Sequence, residues 1–300
     1  MITSTLYLYT ETPLHAGTGS GLSSIDLPIQ RERTTQYPLI QSSGVKGKLR
    51  AALEGSRNHL SQEAKDMVDI VFGPPSTSGG GSEHAGALIT GDARILLFPV
   101  RSLNGVFAYT TSYDLLNRFK RDIEREQTST KLNWTIPEAV TDSVLVTTNS
   151  VLHYDNTIVL EEFSFNARAN EQVDTIATWI AQNALPSMGT DYWPNKVKTS
   201  LAVLPNDVFR DFVVHATEVI TRIRIDREKK TVEKGALWTE EHLPSDTLMY
   251  VPLYATKGRK KASQVSEQQV LDQVKALNNT YLQLGGDETV GRGLVRIRLS

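Results

Sequence analysis

The chain has 300 residues, 39% of them hydrophobic, no cysteine, and a formal net charge of −2. That is enough apolar material for one large core, and the missing thiols exclude a disulfide framework and any thiolate metal site. So small a net charge excludes a protein that coats nucleic acid by bulk charge, which leaves the distribution of charge as the informative quantity.

The opening residues, MITSTLYLYTETP, carry neither the basic nor the apolar stretch of a signal peptide. No run approaches the roughly 18 apolar residues of a membrane span. A soluble, cytoplasmic protein without membrane contact is expected. Residues 2–10 read as a strand with two usable faces, because Leu6 and Leu8 alternate with Tyr7 and Tyr9. Residues 11–36 hold three glycines, two prolines and five serines or threonines before Arg31. A loop this long inside a compact domain marks a functional segment. Between Thr12 and Arg31 it contains His15 and one carboxylate, Asp26. A helix is expected over about 43–53, capped by Ser42 or Ser43 and carrying Lys46, Lys48 and Arg50. Free N–H groups, hydroxyls and cations at that terminus favour a phosphate over a buried carboxylate.

A second helical pattern spans 62–72 and stops at Gly73-Pro74-Pro75, before a low-complexity, mobile run at 76–86. Residues 87–100 read as a strand with a bulge at Gly91-Asp92, turning at 103–105 into a return strand that ends at Thr111. Helices are expected at 113–126 and 171–183, and an aromatic loop at Asp191-Tyr-Trp-Pro194; the rest of 131–200 has no clear period. Strands are expected at 208–214, 217–226, 236–240 and 247–256, with a charged turn between the second and third, and an amphipathic helix at 264–277. A short strand, a glycine loop and a final strand close the chain.

Charge is segregated along this order. Residues 135–175 contain seven acids and one base, 219–234 six bases against three acids, and 257–261 four bases with no acid. The irregular alternation of elements indicates an α+β fold, an antiparallel sheet with helices on one face. An open face carrying aromatics is how RNA-binding modules of that shape work.

Four glycines in nine residues, Gly285 to Gly293, permit positive φ and close approach of another backbone. Arg292 among them would give a cradled phosphate a cation. The loop precedes a strand, so it is no dinucleotide fingerprint. Asp26 and His15 form a candidate acid–base pair, with Asp26 as base or metal ligand, though spacing alone is a weak signal. His59, His84, His153, His215 and His242 lack metal-ligand spacing and read as structural or surface residues. Trp134, Trp179 and Trp193 read as core, with Trp238, after the basic segment, the exception.

Strand one followed by TPLHAGTGSG, then PLIQSSGVKGKLR, the mid-chain TRIRIDREKKTVEKGALWTEEHLPSDTLMY and the terminal LGGDETVGRGLVRI resemble the RAMP superfamily of CRISPR-associated proteins. Within it the likeness is greatest to the repeated backbone subunit of the type III-B (Cmr) effector. It covers both ends and 217–256, while 75–200 resembles nothing identifiable. The resemblance implies a single RAMP domain over 1–300, a modified ferredoxin-like (RRM-like) palm with 75–200 inserted and a β-hairpin thumb within 217–256. It implies copies stacked head to tail on a guide RNA beside other Cmr subunits, and cleavage of complementary target RNA at regular intervals. A divalent metal ion, Mg or Mn, is implied as cofactor. Asp26 matches the catalytic loop position, as base or as metal ligand, and His15 an assisting one, with Glu233 and Glu240 as further candidate acids. Ser43, Lys46, Lys48 and Arg50 match the helix that grips guide phosphates. Arg222, Arg224 and Arg227 would lie near RNA backbone, as would Gly285, Gly286, Arg292 and Gly293. A non-cleaving RAMP backbone subunit and a guide-processing RAMP endoribonuclease are the alternatives, with a nucleotide-binding enzyme a more distant one.

Overall fold

The computed structural model describes residues 1–21, 24–55, 57–75, 84–126 and 132–300, so the low-complexity run lies outside the description up to residue 83. After β1 (Ile2–Thr10) the long loop reaches β2 (Leu39–Ile40) and helix α1 (Ser42–Glu54). Helix α2 (Gln62–Phe72) is capped by the Ser61 side chain and stops at Gly73, whose φ of 99° suits glycine. β3 (Leu88–Thr90) and β4 (Ala93–Arg101) follow one another with a break at Gly91-Asp92, where the bulge is expected. β4 turns back into β5 (Phe107–Ser112), which runs directly into α3 (Tyr113–Ile123).

The middle of the chain supplies β6 (Ser143–Val146), β7 (His153–Tyr154), β8 (Thr157–Leu160) and β9 (Phe163–Ala169), none of which its sequence period reveals. Helices α4 (Glu171–Asn183) and α5 (Tyr192–Ser200), β10 (Leu201–Leu204) and α6 (Asn206–His215) complete it. A hairpin of β11 (Glu218–Ile225) and β12 (Val232–His242) comes next. The chain ends with β13 (Leu248–Ala255), α7 (Glu267–Lys275), β14 (Tyr281–Gln283) and β15 (Leu294–Leu299).

Among the described residues one large, mostly antiparallel sheet runs in the order β14-β15-β1-β13-β4-β5-β10-β6-β9-β8-β7. β4 joins its halves: Arg94 pairs with Tyr250 of β13, and Phe98 with Thr110 of β5. The β11–β12 hairpin forms a separate two-stranded sheet.

Helices cover both faces of the large sheet, which corrects the expectation of one covered face. Leu6 and Leu8 of β1 pack in the core that receives Val45 and Leu49 of α1, Val71 of α2 and Val270 of α7. Tyr7 and Tyr9 point the other way, into a second core with Phe119 of α3 and Ile176 and Trp179 of α4. The expected open aromatic face is therefore closed. Burying a large apolar side chain stabilises by about 1.5–3 kcal/mol, and α3, α4 and α5, all from within 113–200, cover these rings. Trp134 and Trp179 are core, as expected, and Phe119 lies between Trp134, Trp179 and Tyr250.

Two further expectations are overturned. Residues 208–214 are helical, because Phe209, Phe212 and Val213 fall on one buried face at helical spacing, outweighing the β propensity of the valines. Asp191-Tyr-Trp-Pro194 is the start of α5, where Pro194 sits in the first turn and its missing N–H breaks no intrahelical bond. Among the described residues no helix is long and apolar enough to cross a membrane.

Candidate functional site

The end of β12 reads Trp238-Thr239-Glu240-Glu241-His242, polar on both faces of a strand. Side chains alternate along a strand, so Trp238, Glu240 and His242 turn to one side and Thr239 and Glu241 to the other. The long loop after β1 docks on the second side. Leu27 donates its N–H to Thr239 O at 3.0 Å and accepts from Glu241 N at 3.0 Å, which adds one parallel bridge to the hairpin. Glu241, 2% exposed, accepts from Ile29 N at 3.0 Å and from Thr217 Oγ1 at 2.8 Å, and forms an ion pair with Arg31. The loop is thus an ordered structure written onto β12.

Asp26 is exposed, but only one of its carboxylate oxygens is committed. Oδ2 accepts from Thr239 N at 2.8 Å and from Thr239 Oγ1 at 3.0 Å, while Asp26 N donates to the same hydroxyl. Oδ1 faces outward without a partner among the described residues. His15 is held from the same strand edge: Nδ1 lies 2.6 Å from Glu241 O. A carbonyl only accepts, so Nδ1 carries a proton and the ring is oriented with Nε2 away from Glu241. Nε2 lies against Gly17, where a Cβ would come within 2.6 Å of it. The anchors of Asp26 and His15 are two residues apart on β12, roughly 6.8 Å along a strand.

His15 also lines a cleft of about 410 Å³ with Gly17, Gln30, Gly44, Lys48 and Gly285. The glycine loop reaches this wall by close backbone approach, although the backbone is the protein's own. Gly286 N donates to His15 O at 2.9 Å, and a Cβ on Gly285 would lie 2.3 Å from that oxygen. Gly293 N donates to Pro13 O at 2.9 Å, and its Cβ would fall 1.9 Å from Leu284 O. The loop and the segment 13–16 are locked together, which accounts for both glycines.

The start of α1 differs from its expected form. Gln41 is the N-cap and makes no side-chain cap bond, so neither Ser42 nor Ser43 caps. Ser42 N donates to the Asp92 carboxylate at 2.8 Å, so a carboxylate, not a phosphate, takes that N–H. Ser43 is exposed, one residue before Gly44 of the cleft wall. Lys48 faces the cleft, with Nζ 2.8 Å from Gln283 Oε1. Lys46 points elsewhere, donating to Leu88 O at 2.8 Å, and burial lowers its pKa. Arg50 is tied to α2 and its end, at 2.9 Å from Gly73 O and 3.2 Å from Asp69. Of the four α1 residues singled out in the sequence, Lys48 lines the cleft and Ser43 is exposed, while Lys46 and Arg50 are directed to the protein's own backbone and side chains away from it.

On the other side of β12, Glu240 accepts from Trp238 Nε1 at 2.7 Å and from Arg222 Nε at 2.8 Å. His242, fully buried, places Nε2 3.4 Å from Asp287 Oδ2 and 4.0 Å from Glu240 Oε2. Asp287 comes from the glycine loop in a left-handed conformation, φ 60°. Burial raises the Glu240 carboxyl, but the Trp238 and Arg222 bonds outweigh it and leave its pKa low. Burial and the His15 ring, 5.3 Å away, lower the His242 pKa against the pull of Asp287. Arg222 thus turns inward to Glu240 and Asp287. Arg224, mostly exposed and 3.6 Å from Glu233, and Arg227 remain toward the hairpin tip. Arg292 has no ion pair among the described residues.

Thr239, Glu241, His242 and Asp287 are site residues that the sequence reading did not single out for such roles. The one local signal is WTEEH itself: a strand end with no apolar face must meet polar groups on both sides.

The model of the RAMP superfamily matches residues 7–296. A CRISPR system Cmr endoribonuclease, Cmr4 of Pyrococcus furiosus, is 40% identical over 294 residues, 97% of this chain and 94% of that one. The crystal structure of oligomeric Cmr4 from Pyrococcus furiosus superposes with a TM-score of 0.74 at 34% identity, over 99% of this chain and 98% of that one. A chain of the type III-B Cmr-beta complex bound to cognate target RNA, solved by cryo-EM, gives 0.72 at 23% identity, over 100% of this chain and 97% of that one. At that identity the likeness is one of fold.

Proposed function

The chain belongs to the RAMP superfamily, and from that premise we propose that it is a backbone subunit of a type III-B CRISPR effector that binds guide RNA and cuts complementary target RNA at regular intervals. One observation carries the reading. A single strand, β12, anchors both Asp26, whose Oδ1 has no partner among the described residues, and His15, which lines a cleft walled by glycine backbone and Lys48. Copies stack head to tail with the other Cmr subunits, in keeping with the oligomeric relative. The order β15-β1-β13-β4, with α1 between β1 and β4 and α7 between β13 and β15, supports a ferredoxin-like palm. The β11–β12 hairpin is then the thumb, within 217–256.

The reaction that suits these groups is attack of a ribose 2′-OH on the adjacent phosphorus: the O2′–P bond forms as the P–O5′ bond breaks, leaving a 2′,3′-cyclic phosphate and a 5′-hydroxyl that takes up one proton. Asp26 Oδ1 takes the hydroxyl proton, because Oδ2 is already neutralised by two donors and Oδ1 keeps its basic lone pairs. His15, charged for this step, gives the leaving 5′-oxygen its proton from Nε2 while the Nδ1 bond to Glu241 O keeps the ring in place. Lys48, with any free N–H at the start of α1, holds backbone phosphate near the cleft. In the alternative, where Asp26 is a metal ligand and not the base, Oδ1 alone among the described residues would hold a Mg or Mn ion, which would supply positive charge beside the phosphate. Sequence is read by base pairing with the guide, so the site needs only shape and charge.

The test is to assemble the complex with one guide and add end-labelled RNA. Complementary RNA should yield a ladder of constant spacing, and mismatched RNA none. Cutting of the guide itself, at one place, would favour a guide-processing enzyme. Thr239→Val should slow cleavage about tenfold, because a hydrogen bond to a charged group contributes about 1.5–3 kcal/mol and the residue 239 N–H still holds Asp26. Thr239→Ser should restore the rate, and single-turnover kinetics with equal RNA binding would check both.

A further inference from the structure

Three buried polar atoms meet behind His15, with His242 Nε2 and Arg222 Nη2 each 3.4 Å from Asp287 Oδ2, and none of them, nor His242 Nδ1, makes a hydrogen bond among the described residues. A native protein seldom leaves such atoms unpaired, since each costs about 1–3 kcal/mol. Glu240, His242 and Asp287 also place one ligand atom each within 4.8 Å of the others. Bonds of about 2.2 Å meeting at 90–110° put neighbouring donors roughly 3.1–3.6 Å apart. The 3.4 Å between His242 Nε2 and Asp287 Oδ2 falls in that interval, and Glu240 Oε2 at 4.0 Å needs only a small rotation.

We infer that Glu240, His242 and Asp287 form a divalent-cation site at the base of the hairpin, distinct from Asp26. The donor set, one imidazole and two carboxylates, suits Mn²⁺ or Zn²⁺ better than the all-oxygen preference of Mg²⁺. Charge agrees: the Glu240 and Asp287 carboxylates against the Arg222 guanidinium leave one negative charge at this seat. The ion ties β12 to the glycine loop through Asp287 and backs the His15 ring. Arg222 leans into the same seat, 2.8 Å from Glu240 and 3.4 Å from Asp287, and so competes with the ion. The site needs neither RNA nor cleavage, so it stands independently of the nuclease reading.

Titration of the chelator-treated full chain with Mn²⁺, followed by the loss of the free-ion EPR signal, tests it, with Zn²⁺ competition as a second arm. One equivalent should bind per chain. His242→Gln and Asp287→Asn should weaken binding tenfold or more, with folding checked by circular dichroism. Asp26→Asn should bind like wild type, and Arg222→Gln should bind more tightly because the competing cation is gone. The inference is overturned if neither ion binds saturably, if His242→Gln binds as wild type does, or if Asp26→Asn alone abolishes binding.

Discussion

Asp26→Asn is expected to reduce target cleavage by about 10²–10⁴-fold, the usual contribution of a positioned base, while RNA binding stays within a few-fold. The substitution is nearly isosteric. An asparagine oxygen can still accept from Thr239 N and Oγ1, the two bonds that seat the side chain. The loop stays docked through Leu27 and Glu241, which do not involve the side chain of residue 26. What disappears is the charge and basicity of the free oxygen. The measurement is the rate of loss of labelled target in the assembled complex, beside its affinity for the same RNA. Periodic cuts at the wild-type rate would move the catalyst elsewhere and reduce the loop to scaffolding. Loss of binding together with cleavage would mean that the loop holds RNA and does not cut it.

Asp26 and His15 draw attention in the sequence because they are the one acid and the one histidine between Thr12 and Arg31, a stretch rich in glycine and hydroxyls. Their wiring was not legible, since Asp26 meets Thr239 across 213 residues of chain and no local period reports such a contact. The period-2 pattern of β1 was readable, and both of its faces proved buried. That both faces were helix-covered could not be read: helices at 113–126 and 171–183 are expected, but no local pattern says which face of the sheet they pack on. Residues 208–214 misled because valine and phenylalanine suit strands and buried helix faces alike. Charge misled in a different way. Lys46 and Arg50 have the right identity and position on α1 for phosphate, but sequence does not show that Leu88 O, Gly73 O and Asp69 occupy them. The glycine loop was rightly read as a place of close backbone approach, and only the fold shows that His15 and Pro13 make that approach.

The second large effect is on stability. Glu241→Ala should destabilise the protein by about 3–5 kcal/mol, the cost of removing one partner of a buried ion pair. Three donors converge on this carboxylate: Arg31, Thr217 Oγ1 and Ile29 N. Arg31 keeps the carbonyls of Gln36 and Val213, at 2.9 and 2.8 Å, so its charge is not wholly abandoned and the lower end of that range is expected. At about 2–4 °C per kcal/mol for a chain somewhat smaller than this one, thermal unfolding should shift down by roughly 6–12 °C. Cleavage at a permissive temperature should suffer less than stability does. The bonds that seat Asp26 come from Thr239, and the Leu27 bridge uses only the backbone of residue 241. Arg31→Met combined with Glu241→Leu separates the two components of the cost. If an unpaired guanidinium causes most of the loss, the double variant should be more stable than Glu241→Ala alone, because replacing a whole buried pair by apolar groups is often neutral. If instead the carboxylate matters chiefly as the acceptor for Ile29 N and Thr217, the double variant should be no better than the single one, and the anchor is a hydrogen-bond hub more than an ion pair.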